Sequence, residues 1–184
     1  YLDQDVIYKM IDPGRGIYEQ TNIDFTLLGL EVVHCPSSPL SPETGSYAGS
    51  HHEVEAPIDA NDNGMLFLNS HVRLSDVTDG QQYTLMVGEI RDYGMWQVGS
   101  RMSLRNTGTP CDTTSISTVQ RKPGVTLPPP NPGFPADQST PPENIPDPRT
   151  SVGGFGSYHS GVCNFLLVDG SVRSIGSSVD TRLY

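Results

Sequence analysis

A chain of 184 residues has room for one domain over 1–184, but 19 glycines and 16 prolines mean that much of it is turn and loop. A formal net charge of −10 excludes a basic nucleic-acid-binding surface and suits an exposed acidic one that attracts divalent cations. No apolar run approaches the roughly 20 residues needed to span a membrane.

Leu2, Val6, Ile7 and Met10 recur at helical spacing, so residues 2–11 read as a short helix stopped by Pro13-Gly14. Thr21 or Asn22 caps a second short helix that runs to Leu28 and ends at Gly29. Residues 30–34 read as a strand entering Cys35-Pro36, and residues 45–50 as a short strand or extended segment. Residues 51–64 form a polar stretch in which the adjacent His51 and His52 are expected to be solvated. Residues 65–68 read as a short strand. Ser75 caps a single helical turn that closes at Asp79-Gly80, with Asp76 inside it. Residues 83–91 are the best central strand, with Glu89 as a strand-end carboxylate. Trp96 and Val98 read as a further short strand.

Residues 119–150 hold most of the prolines and read as an extended, polyproline-like surface loop. Gly153-Gly154-Phe155-Gly156 lacks the lysine and helix of a phosphate-binding loop and reads as flexible. An apolar run then reaches Asp169-Gly170, and a second short run follows. Asp-Gly between two strand-like runs signals a tight hairpin, because glycine takes positive φ without steric cost. Val162 to Val168 is apolar at nearly every position, which predicts a strand covered on both faces. The short helices are too small to cover a sheet, so a partner element is expected there. Residues 179–184 begin a further element.

The chemistry-bearing residues read mostly as structural. His159 and Asp169 are separated by a segment spanning roughly 30 Å when extended, so a catalytic pair is not expected. Asp169 is expected to accept backbone bonds in its turn and His159 to make a structural hydrogen bond. No G-x-S-x-G pattern is present, and no catalytic residue is assigned. Asp59-Ala60-Asn61-Asp62-Asn63-Gly64 fits the first half of a calcium loop, with Asp59, Asn61, Asn63 and the Met65 carbonyl as ligands. The twelfth position is Ser70 rather than glutamate, so Glu53, Glu55 or Asp76 would have to complete a Ca2+ site. An Asx-rich turn that needs no ion is the favoured reading.

Five motifs in order resemble one family. Tyr1-Leu2-Asp3-Gln4 is similar to its Y-L-E-Q. Cys35-Pro36-Ser37-Ser38-Pro39 is similar to its C-P-S-D/S-P, with Ser46-Tyr47-Ala48-Gly49-Ser50 close behind. Ser75 to Gly80, then Thr84 to Glu89, resemble its S-D-I-T-D-G signature and the following strand with Gly-Glu. His159, nine residues, then Asp169-Gly170 resemble its C-terminal H-x(9)-D-G motif. The chain thus resembles the prepilin-like bacterial surface proteins abundant in planctomycetes. Gln81-Gln82-Tyr83 departs from the family's T-S-N.

The resemblance implies an α+β, mainly antiparallel head like that of a type IV pilin, with a prepilin-type leader and long hydrophobic helix ahead of Tyr1. It implies a non-enzymatic structural subunit at the cell surface or outside the cell, held to like or unlike protein subunits, with membrane contact only through that helix. In such an exported setting a Cys35–Cys111 disulfide is expected, the two cysteines sharing loop context, with Cys163 as a buried thiol. The alternative partner for Cys35 is a cysteine ahead of Tyr1. A second class of function is a secreted module that binds carbohydrate or peptide through Tyr47, Tyr93 and Trp96.

Overall fold

The computed structural model describes residues 3–16, 19–20, 29–91, 103–113 and 152–180. The expected helix at 21–28, the Trp96 strand and the proline-rich loop at 119–150 lie outside the described residues, as do Tyr93 and Trp96 themselves.

The centre is one mixed five-stranded sheet in a small α+β domain, with strand order β3-β1-β2-β4-β5. The strands are β1 Tyr47–His52, β2 Leu85–Glu89, β3 Leu104–Asn106, β4 Val162–Leu167 and β5 Val172–Gly176. The β1–β2, β2–β4 and β4–β5 pairs are antiparallel, and β3 runs parallel to β1 at the edge. The Asp169-Gly170 turn closes β4 onto β5. Gly170 takes φ +85, and Asp169 accepts the Ser171 N–H at 2.9 Å and the Ser171 hydroxyl at 2.6 Å. These bonds, the hydroxyl foremost, hold the Asp169 carboxyl below its ordinary pKa.

The core lies on one side of this sheet. Ala48, Leu85, Ile90, Cys163, Phe165 and Leu167 pack there with Cys111 and Phe155. Phe155 and Phe165 meet edge to face at 5.1 Å between centroids. They fit because β2 carries Gly88 at that point, where an added Cβ would lie 2.6 Å from both rings. The stretch expected to be flexible around Phe155 is therefore core. Gly154 and Gly156 form parallel bridges to Asn106 and Asp112, and glycine at 154 lets the backbone pass within contact of Thr109.

Other expectations are corrected. Residues 30–34 form a 3-10 helix at Glu31–Val33 rather than a strand, because the Val33 and His34 N–H groups donate back to the Leu30 and Glu31 carbonyls. Residues 65–68 are not a strand; Leu66 donates to Ser50 at the flank of β1, and Gly64 to His51. The turn before β2 is a 3-10 helix at Leu74–Asp76 that starts from Arg73, whose N–H is taken by Asp76 at 2.9 Å. Gly80 closes the following turn at φ +94. The first helix, α1 Asp5–Met10, carries an Asp5–Lys9 ion pair and buries none of its residues.

The disulfide joins Cys111 to Cys163, not Cys35 to Cys111. Cys163 points from β4 into the core beside Cys111, with Cα atoms 6.7 Å apart, inside the range a disulfide bridges. Cys35 is the free thiol and is buried.

The two faces of β4 differ. Cys163, Phe165 and Leu167 are buried, whereas Val162, Asn164 and Leu166 are only half-buried. Cross-strand register places Val87, Leu166 and Val172 side by side on the outer face, with Tyr47 opposite Glu89 on β1. Val172 is 68% exposed and Tyr47 38%. The two-sided cover expected for β4 is thus present on one side only among the described residues.

Candidate functional site

Three residues far apart in sequence meet at the end of this outer face. The 3-10 helix at Glu31–Val33 delivers Cys35 to the sheet. Glu89 ends β2, and its side chain points outward like that of Val87 two residues before. His159 stands just ahead of β4. Cys35 Sγ lies 3.6 Å from His159 Nε2 and 3.8 Å from Glu89 Oε1, and Nε2 lies 3.3 Å from Oε1. The Cys35 and Glu89 side chains are buried and the His159 ring is partly exposed.

Glu89 and His159 are each held by further partners. Asn164 of β4 donates its backbone N–H to Glu89 Oε2 at 2.7 Å and its side-chain amide to Oε1 at 3.2 Å. The Ser174 hydroxyl of β5 in turn donates to Asn164 Oδ1 at 2.6 Å. Ser37, two residues after Cys35, stands 3.5 Å from His159 Nδ1, and the His159 N–H donates to Ser157 Oγ at 3.0 Å. A cavity of about 310 Å³ opens beside the cluster, lined by Tyr47, Val87, Phe165, Leu166 and Val172. Burial, then the charges of Cys35 and Glu89, push the Tyr47 phenol up in pKa.

The geometry bears on two chemistries. In a nucleophilic triad the imidazole bridges thiol and carboxylate through its two different nitrogens. Here both meet the same nitrogen, Nε2, and Nδ1 faces Ser37. The imidazole cannot relay a proton between them from opposite ends. Sulfur, nitrogen and oxygen atoms that converge on one point make a donor set able to hold an ion.

His159 and Asp169, the two ends of the H-x(9)-D-G motif, are not brought together. The histidine joins the cluster and the aspartate holds the hairpin turn. Asp76, Asp79 and Gly80 serve the turns before β2, where Asp79 takes a 3.4 Å contact from Thr78 Oγ1. Cys35 and Glu89 were each singled out by their motifs; their meeting was not. The available signal was that three separate motifs each carried one group able to bind a metal.

The Asp59 loop is built as a turn. Asp59 Oδ1 accepts from both the backbone and the side chain of Asn61, and Asn63 Oδ1 accepts the Glu53 N–H at 3.1 Å. Two of the carboxylates that could complete a calcium site are committed elsewhere. Glu55 accepts the Val152 and Gly153 amides and Asn106 Nδ2, and Asp76 caps Arg73.

The residue of this loop that matters most is Asp62, which accepts the Asp59 N–H and bonds His51 Nδ1 at 2.8 Å. His51 is fully buried in β1, not solvated, because the strand extends through it and Gly64 lets the loop close over it. Burial opposes the Asp62 charge, but the Asp59 amide and His51 outweigh it and leave the carboxyl below its ordinary pKa. Among the described residues, Tyr47 is the one member of the proposed aromatic binding surface that can be placed, and it lines the cavity beside Cys35.

No curated protein and no solved structure matches the chain. A family model described as "Protein of unknown function (DUF1559)" matches residues 1–182, nearly the whole length, and the chain therefore belongs to the DUF1559 family.

Proposed function

We propose that this chain is a non-enzymatic structural subunit of the cell surface or extracellular space, a pilin-like head that assembles through protein–protein contacts. The observation that supports this reading is the outer face of the sheet. Tyr47, Val87, Leu166 and Val172 form an apolar strip over a cavity, and Val172 is 68% exposed. Apolar side chains in one patch on a sheet face gain about 25 cal/mol per Å² when an apolar element covers them. The occupant is the long hydrophobic helix that the prepilin-like resemblance implies, packed in the same chain or offered by a neighbouring subunit.

Two further features support the reading. The Cys111–Cys163 disulfide suits an oxidising, exported setting. The net charge of −10 suits partners other than nucleic acid. Among the described residues no helix is long and apolar enough to cross a membrane.

The test is the assembly state of the full-length gene product in its own cell envelope, by cross-linking and light scattering, for wild type and Val172→Glu. The reading expects large assemblies for wild type and their loss in the variant, with the melting temperature unchanged. Monomer in both, or equal assembly in both, overturns it.

A further inference from the structure

We infer that Cys35, Glu89 and His159 form a binding site for a thiophilic divalent ion, Zn2+ by preference, with a fourth coordination position open to the cavity beside them. The argument is geometric. An ion bound tetrahedrally at about 2.3 Å to sulfur and about 2.0–2.1 Å to nitrogen and oxygen separates its ligands by about 3.5 Å for S···N and S···O and about 3.3 Å for N···O. The three separations here are 3.6, 3.8 and 3.3 Å. The cluster is therefore one face of a coordination tetrahedron. As a hydrogen bond the Nε2–Oε1 approach is long, since charge-assisted N–H···O contacts close to about 2.7–2.9 Å.

The surroundings are those of a metal site. Glu89 is held by two donors from Asn164, and His159 has its second nitrogen against the Ser37 hydroxyl, so both ligands are aimed by partners outside the ligand set. Thiolate, imidazole and carboxylate together select Zn2+ over Ca2+ or Mg2+, which take oxygen ligands. Three protein ligands leave one position for water or a small donor. Tyr47 lines the same cavity. An ion here would tie the Cys35 loop to the ends of β2 and β4. It would also hold as thiolate the one described cysteine outside the disulfide. This inference does not depend on the structural-subunit reading.

The experiment uses the untagged full-length gene product with its disulfide intact. Zinc is added, excess is removed by gel filtration, and bound metal is counted by mass spectrometry. Co2+ is then substituted to read the thiolate-to-metal charge-transfer band and the visible bands of a tetrahedral site. The expected result is one ion per chain and a cobalt charge-transfer band that Cys35→Ser abolishes. His159→Gln, which alters a partly exposed ring, is expected to weaken zinc at least about tenfold, and Asn164→Ala about 10–100-fold. On the wild-type chain, zinc should slow alkylation of Cys35 and a chelator should restore it, a readout that needs no variant. No bound zinc after gel filtration overturns the inference. So does a cobalt spectrum without the thiolate band, or alkylation indifferent to zinc. Undiminished zinc binding by folded His159→Gln would show an adventitious site elsewhere and would overturn it as well.

Discussion

Reduction of the Cys111–Cys163 disulfide should cost a large part of the stability, and its size follows from where the bridge sits. The bond closes a sequence separation of 52, from Cys111 beyond the end of β3 to Cys163 at the start of β4. Confining a loop of that length in the unfolded chain stabilises the folded state by about 4 kcal/mol on the chain-entropy account. For a protein of this size each kcal/mol moves the melting temperature by about 2–4 °C, so reduction should lower it by about 8–16 °C. The assay is calorimetry with and without a reductant, paired with peptide mapping after alkylation under non-reducing conditions. Mapping should return a linked Cys111–Cys163 peptide and an alkylated Cys35 peptide once the chain is unfolded. A linked Cys35–Cys111 peptide, or a melting temperature that reductant leaves within about 2 °C, would refute the reasoning.

Gly88→Ala places a Cβ 2.6 Å from both Phe155 and Phe165, and overpacking of this kind costs about 1–3 kcal/mol, readable as an earlier denaturant midpoint at unchanged slope. An unchanged midpoint would mean that the two rings do not close over β2. Asp62 has a folded-state pKa below the ordinary value near 3.9, so its contribution is complete above that pH and is lost as pH falls through the lower folded value. Asp62→Asn should therefore be less stable than wild type at neutral pH and show a shallower acid limb; parallel acid limbs would contradict the pairing with His51. Calcium at millimolar concentration should leave the melting temperature of wild type unchanged, because Asp59 and Asn63 are spent on the Asn61 and Glu53 amides. A calcium-dependent rise that Asp59→Ala removes would restore the ion-loop reading.

The hairpin was legible because its signal is local. Asp169-Gly170 fixes the turn, and the runs on either side fix β4 and β5. β2 was legible as the longest β-rich run between turn signals. β3 was not, because Leu104–Asn106 is three residues long with polar members and gains its pairing from β1 and from the distant Gly154. His51 read as loop because a histidine pair looks polar, yet Asp62 and the β1 ladder make it core. Phe155 was hidden among glycines whose role, close backbone approach, shows only in three dimensions. For the cluster, motif residues named Cys35, Glu89 and His159 one at a time. No pattern in sequence says that a residue before β1, one ending β2 and one entering β4 share a corner, since that depends on strand order. Cysteine pairing failed for the same reason. Shared loop character is not proximity, and the partner of Cys111 was set by which face of β4 carries Cys163.

The outer face of the sheet, as the proposed seat for another protein segment, is the feature on which the assembly depends. A photo-cross-linking amino acid at Val172, in the full-length gene product expressed in its own host, tests that directly, with Ser178 in the turn after β5 as the control position. Strong cross-links are expected from position 172 to an apolar helical segment of the same or a neighbouring subunit, and few from position 178. Equal and weak cross-linking from both positions, with the chain recovered as free monomer, would contradict this reading.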